Sequence, residues 1–218
     1  MALFAQYKEE SLQWGIWKMD ESLDELLALL PDRNAYEQAM QRFTAVHRKR
    51  EWLSVRVLLY LLLGEAKEIH YEPSGKPYLK DRSSFISISH TKGYVAVILS
   101  PVAEVGIDVE QYGQRIHKVA HKFMRPDEEA GVYENESTWA LLLHWSAKEV
   151  LFKCMNVAEV DFREHLHITP FIIMKQGVFN AQEYRTELRR KFLIHYQLFS
   201  DFVLTWQIDV LSHTLSKG

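Results

Sequence analysis

The sequence predicts an α+β fold of two similar, pseudo-symmetric lobes, each a long helix packed on an antiparallel sheet. Three observations lead there. Apolar residues recur at helical spacing in two long stretches, residues 43–63 and 138–155. Each stretch is followed by short runs with the alternation of half-buried strands. No low-complexity linker separates the halves, so residues 1–104 and 105–218 read as an N-terminal and a C-terminal lobe joined near residues 100–105. Lobes without a linker share an interface, and a pocket between them is a natural ligand site.

The elements follow in order. Leu12, Trp14 and Ile16 alternate and predict a strand over 12–18. Asp20 and Ser22 are N-cap residues for a helix over 23–30, which Pro31 stops. Residues 33–42 are mixed polar and read as helical. In the first long helix Trp52, Val55, Leu58, Leu59 and Leu62 share the apolar face, and Gly64 ends it. Pro73, Gly75 and Pro77 make 72–77 a loop. Strands over 85–90 and 94–99 form a hairpin through Thr91-Lys92-Gly93, and 105–109 is a further strand. Residues 116–123 read as helical, and Pro126 suits the first turn of another helix. After the second long helix the chain turns to strands: 167–174, a turn at Gln176-Gly177, 179–184, 190–199 and 202–210.

Composition narrows the function. Of 218 residues, 26 are Lys or Arg and 29 are Asp or Glu, a formal charge of −3. This balance argues against a dedicated nucleic-acid binder, which carries a basic excess. With 47% hydrophobic residues the chain has ample core material. A single cysteine, Cys154, excludes an intrachain disulfide and a cysteine-rich zinc site. The longest apolar run, residues 57–63, falls far short of the roughly 20 residues of a membrane span. With no secretory pattern near the N-terminus, the expected location is the cytoplasm.

Four constellations carry chemistry. In Gly106-Ile107-Asp108-Val109-Glu110 the two acids sit at strand positions i and i+2, so both project to one face, with Ile107 and Val109 toward the core. Adjacent carboxylates repel and need a proton or a cation between them, and carboxylates with a phosphate suit magnesium. In Trp145-Ser146-Ala147-Lys148-Glu149-Val150-Leu151-Phe152-Lys153, the residues Trp145, Glu149 and Lys153 recur every four and line one helix face. Lys76 stands on a loop shaped by Gly75 and Pro77, and Ser89, His90 and Thr91 close a strand, all groups that suit phosphate oxygens. The basic cluster His47, Arg48, Lys49 and Arg50 precedes Arg56, which lies among apolar positions and needs a partner if buried. Each has an ordinary structural explanation when taken alone: a solvated strand end, a surface ion pair, a turn lysine, a charged helix face.

Taken together and in order, these segments resemble the 4'-phosphopantetheinyl transferase superfamily, in its Sfp-type, two-lobed branch, over about residues 50–153. The resemblance implies that fold, with the active site in a cleft shared by the lobes. It implies a magnesium-dependent enzyme, with manganese as a substitute. Such an enzyme moves the 4'-phosphopantetheine arm of coenzyme A onto a serine of an apo acyl, peptidyl or aryl carrier protein and releases adenosine 3',5'-bisphosphate. It assigns Asp108, Glu110 and Glu149 to the metal, and Lys153 to the diphosphate. Lys76, Ser89 and His90 fall to coenzyme phosphates. Arg56 falls to the 3'-phosphate, with Arg48, Lys49 and Arg50 as competing choices. Glu149, Lys153 and Asp108 form the catalytic set, Glu149 being the general base directly or through a water. Trp145 packs or positions, and Lys148 has no assigned role. The expected partners are coenzyme A and an acidic apo carrier, with no nucleic acid or membrane, and the expected assembly is a monomer. Arg115, His117, Lys118, His121, Lys122 and Arg125 offer a local basic surface for that carrier. The rival readings are a non-catalytic coenzyme- or carrier-binding module of the same fold and a metal-dependent phosphohydrolase. His165 and His167 lack a third ligand for zinc, and His144 and Cys154 read as structural.

Overall fold

The computed structural model describes residues 3–155 and 157–208. The fold is α+β, and the chain divides into two compact units, Met1–Val102 and Ala103–Gly218.

The first unit is built on a four-stranded antiparallel sheet. Its strands are β1 (Leu3–Lys8), β2 (Gln13–Lys18), β5 (Phe85–Thr91) and β6 (Tyr94–Ser100), in the order β1-β2-β6-β5. A two-stranded ribbon, β3 (Ile69–Tyr71) with β4 (Pro77–Leu79), forms a separate sheet whose β4 packs against β5. Helix α1 (Leu23–Ala28) opens on Ser22, whose hydroxyl accepts from Glu25 N while the Glu25 carboxylate accepts from Ser22 N. This reciprocal cap satisfies two donors that the first turn leaves open. Helix α2 (Arg33–Ala39) follows, and α3 (Val46–Leu63) ends on Gly64 in the left-handed conformation at φ 74°. Residues 53–59 of α3 are all buried. The helix lies close on β2, because a Cβ added at Gly15 would sit 2.8 Å from Leu58 Cδ1.

The second unit is a five-stranded antiparallel sheet in the order β7-β11-β10-β9-β8. Its strands are β7 (Val105–Gln111), β8 (Leu166–Ile168), β9 (Gln176–Glu183), β10 (Lys191–Leu198) and β11 (Phe202–Ile208). Helix α5 (Thr138–Cys154) packs on this sheet, with α4 (Arg115–Val119) and α6 (Phe162–His165) beside it. Leu143, Ala147, Val150 and Leu151 of α5 meet Ile194, Tyr196 and Val203 of the sheet in one core.

Several expectations are corrected. Residues 3–8, for which the sequence predicts no element, form a strand paired with β2. The loop expected over 72–77 is the turn of the β3–β4 ribbon and gives Pro77 to a strand. Pro126 opens no helix: its segment is a turn, in which Glu128 turns back to accept from Arg125 N at 2.8 Å. The strand expected over 167–174 stops at Ile168, two residues before Pro170, whose ring nitrogen has no hydrogen to donate. Gln176 and Gly177 are no turn; they begin β9 and pair with Gln197 and Tyr196. The expected strand over 202–210 is described to Ile208, its last two residues lying outside the described residues.

Candidate active site

Strand β7 and helix α5 bring together the acids and the lysine of two motifs, with Asp108 and Lys153 45 positions apart in sequence. Gly106 makes the approach possible. A Cβ there would stand 2.6 Å from Cys154 Sγ and 2.9 Å from the Val150 carbonyl oxygen. Period-two alternation then turns Asp108 and Glu110 to the same helix. Ile107 and Val109 are buried on the opposite face. The core under α5 therefore lies on the acid side of β7, the reverse of what apolar alternation suggests.

Asp108 is 3% exposed and fully engaged. Lys153 Nζ donates to Asp108 Oδ1 at 2.8 Å and to the Ile107 carbonyl at 2.9 Å. Ser146 Oγ donates to Asp108 Oδ2 at 2.8 Å and lies 2.7 Å from Thr205 Oγ1. Thr205 is the cross-strand neighbour of Asp108 on β11. Glu110 Oε1 accepts from Trp145 Nε1 at 2.7 Å. Burial, then the charge of Asp108, push the Glu110 carboxyl up to about 7, with Glu149 adding to the rise. Burial and Asp108 likewise push Glu149 up to about 7, and Lys153 opposes. Three acids are thus held within electrostatic reach of one another and of one ammonium.

Beside Glu110 and Trp145 opens a cavity of about 460 Å³, walled by Ile116, Val119 and Leu142, with Arg115 and Lys122 at its lining. The basic surface expected around α4 is partly spent on structure. His117 Nε2 lies 2.8 Å from Thr138 Oγ1. Arg125 is paired with Asp127 and donates to the Glu164 carbonyl. Lys118 and Lys122 are exposed.

The other expected residues belong to the first unit. Arg56 is 7% exposed, donates to the Trp52 carbonyl at 3.0 Å and stacks 3.8 Å from the Trp52 ring. Burial lowers its pKa to about 10, a hydrogen bond with Tyr71 opposing, so it stays charged at neutral pH. Ser89 is buried on β5. His90 Nε2 lies 3.8 Å from Glu51 Oε2, an oxygen that also receives Arg48 at 3.1 Å. Lys76 sits in the β3–β4 turn, its carbonyl accepting from Glu72 N at 2.9 Å.

Sequence reasoning gave no role to Ser146 and Thr205, which hold Asp108, or to Glu128, which pairs with Lys148. Ser146 stood inside the quoted motif, and its hydroxyl beside a buried acid was the available signal. His144 Nδ1 donates to the Ala140 carbonyl at 2.8 Å, and His165 Nδ1 accepts from Asp161 N at 2.9 Å. Among the described residues no three His, Cys, Asp or Glu side chains form a ready metal-holding group. No helix of the described residues is long and apolar enough to cross a membrane.

Residues 104–207, which include all of the acid and lysine geometry of β7 and α5, match the sequence model of the 4'-phosphopantetheinyl transferase superfamily. A protein of Synechocystis sp., provisionally named a 4'-phosphopantetheinyl transferase, is 29% identical over 128 residues, 52% of this chain and 52% of that one. The match thus spans about half the length of the curated relative. Over residues 104–207, in the second of its two units, the chain is similar to the 4'-phosphopantetheinyl transferase superfamily.

Proposed function

We propose that the chain transfers 4'-phosphopantetheine from coenzyme A to a serine hydroxyl of an apo acyl, peptidyl or aryl carrier protein, as an Sfp-type enzyme. The observation that carries this is the Asp108–Lys153 ion pair, with Glu110 and Glu149 within electrostatic reach of it, inside the matched region.

The donor chemistry fits a hard dication such as magnesium. The ligands on offer are carboxylate oxygens, and burial with the charge of Asp108 raises two of the three groups to about 7. Asp108, Glu110 and Glu149 would hold the ion, which when bound would supply charge neutralisation at the diphosphate of coenzyme A. The chain's own groups do the rest. Glu149, directly or through a water, accepts the proton of the carrier serine as its oxygen attacks the phosphorus attached to the pantetheine arm and the phosphorus–oxygen bond to the departing adenosine 3',5'-bisphosphate breaks. Lys153, anchored on the Ile107 carbonyl and Asp108, presents a fixed positive charge toward the diphosphate. Ser146 and Thr205 hold Asp108 in one orientation. In the first unit, Arg56 meets the 3'-phosphate and Lys76, Ser89 and His90 meet the remaining coenzyme phosphates. The proposal places residues 1–104 and 105–218 as the two lobes of such an enzyme, acting in the cytoplasm as a monomer.

The test is direct. The protein is incubated with coenzyme A, magnesium and apo acyl, peptidyl and aryl carriers, and intact carrier mass is measured. A pantetheine adduct supports transfer. Its absence on every carrier sinks the proposal, and release of adenosine 3',5'-bisphosphate without a carrier favours a hydrolase. Glu149→Ala should abolish the adduct, whereas a pure binder would lose nothing distinctive.

A further inference from the structure

We propose that Lys148 is a positioning residue for Glu110 and acts through Trp145. The inference rests on reading Glu110 as a carboxylate of the active site and concerns how that carboxylate is held. The Lys148 side chain is wholly buried. Its ammonium donates to the Phe123 carbonyl at 2.6 Å, to Glu128 Oε2 at 2.7 Å and to the Phe162 carbonyl at 3.2 Å. An ammonium has three protons, so none remains for a phosphate. Glu128 is equally committed, accepting from Arg125 N at 2.8 Å and from Ile168 N at 2.7 Å.

The two carbonyls that Lys148 grips belong to the residues whose rings flank Trp145. The Phe123 ring centroid lies 5.3 Å from that of Trp145, and Phe162 lies at 5.4 Å. Lys148 and Trp145 are three residues apart on α5 and share a helix face. One cation thus fixes the backbone at both walls of the indole slot. The slot in turn aims the indole N–H at Glu110 Oε1, 2.7 Å away. Support of this kind, one step behind a ligating group, sets how well the group is oriented.

The test uses the indole N–H as its own reporter. Trp145→Phe identifies the Trp145 indole signal in the ¹H–¹⁵N spectrum of the full chain. Lys148→Met strands Glu128 as a buried unpaired charge, so the decisive variant is Lys148→Met/Glu128→Gln, which removes both charges, keeps an acceptor oxygen for the Arg125 and Ile168 amides, and has its fold checked by far-ultraviolet circular dichroism. In that folded variant the Trp145 indole signal should shift and exchange with solvent at least about tenfold faster. Affinity for Mn²⁺, measured by calorimetry, should fall about tenfold. Adding Trp145→Phe should cost no further Mn²⁺ affinity beyond Trp145→Phe alone, because one route is cut twice. A folded double variant with the native indole signal, or losses that add with Trp145→Phe, overturns the inference. If the native chain binds no Mn²⁺ and transfers no pantetheine, the reading of the site fails, and the indole signal still decides how Glu110 is held.

Discussion

Gly106 is the residue on which the helix–strand approach depends, and Gly106→Ala tests it. The added Cβ would lie 2.6 Å from Cys154 Sγ, 2.9 Å from the Val150 carbonyl oxygen and 3.0 Å from Val150 Cγ1. Comfortable contacts lie at about 3.5–4.0 Å, so the helix or the strand must give by up to about 1 Å. Cys154 can rotate, but the carbonyl cannot move without α5. Overpacking of this kind costs about 1–3 kcal/mol. At this chain length each kcal/mol lowers the melting midpoint by about 2–4 °C. Function should suffer more than stability. Lys153 and Ser146 each reach Asp108 at 2.8 Å. A retreat of α5 by even about 0.7 Å takes both beyond hydrogen-bond length. Transfer should therefore fall roughly tenfold to a hundredfold while the protein remains folded at 25 °C. Urea unfolding followed by tryptophan fluorescence gives the first number and intact carrier mass the second. Cys154→Ser in the same background removes the bulkier atom and keeps an acceptor for Gln207, which donates to Cys154 Sγ at 3.0 Å. It should recover part of the stability and little of the transfer, because the clash with the Val150 carbonyl remains. A Gly106→Ala protein with native stability and native transfer refutes the close-approach argument.

Three further outcomes are expected. Glu149→Gln should stabilise the metal-free chain at pH 8 by about 1–3 kcal/mol, the cost of ionising a group raised to about 7 from an ordinary 4.5. A raised acid adds no penalty below 4.5 and loses stability as pH rises through 7, so the gain should vanish at pH 4 while transfer is lost at every pH; equal midpoints at pH 8 would contradict this. Burial holds the His144 imidazole below its usual 6.5, so its contribution is intact above 6.5 and is lost as pH falls through the lower folded value. His144→Asn keeps a donor for the Ala140 carbonyl and should flatten that acid limb in melting scans between pH 7 and 4; an unchanged slope counts against it. Lys118→Glu with Lys122→Glu should raise KM for an acidic carrier about tenfold, with KM for coenzyme A unchanged and the salt dependence of carrier use reduced; unchanged carrier kinetics would remove this face from the carrier surface.

What was legible in the sequence follows from which physical signals are local. The two long helices declared themselves by period, and α3 and α5 lie within three residues of the expected bounds. The β5–β6 hairpin was readable because Gly93, at φ 86°, supplies the left-handed residue its turn requires. Strand β1 was not, because its alternation is confined to Ala5-Gln6-Tyr7-Lys8 and the strand is fixed by pairing with β2. The Pro126 segment misled for the opposite reason. Its local chemistry suits a helix start, but Glu128 is drawn inward by Lys148, a partner 20 residues away on another element. Tertiary charge pairing overrode a local preference that is worth far less.

The same distinction explains the candidate site. Asp108, Glu110, Glu149 and Lys153 were named because two short motifs carry them, but spacing could not reveal that Lys148 and Lys153 have opposite lives. Both are lysines on one helix, five residues apart. Lys148 points into the core, with all three protons spent on Phe123, Glu128 and Phe162. Lys153, nearly a turn and a half further along, stays partly exposed and spends its charge on Asp108. Five residues rotate a helix by about 140°, so the two cannot share a face. Close approach is the other signal hidden from a single sequence. Gly15 and Gly106 each lie on a strand beneath a long helix, where a Cβ would meet Leu58 or the Val150 carbonyl within 3 Å. In each unit a missing side chain sets the helix-to-sheet distance. In the second unit that distance is also what carries Lys153 and Ser146 to Asp108, so the glycine that opens the acidic motif serves the site by having nothing to contribute but room.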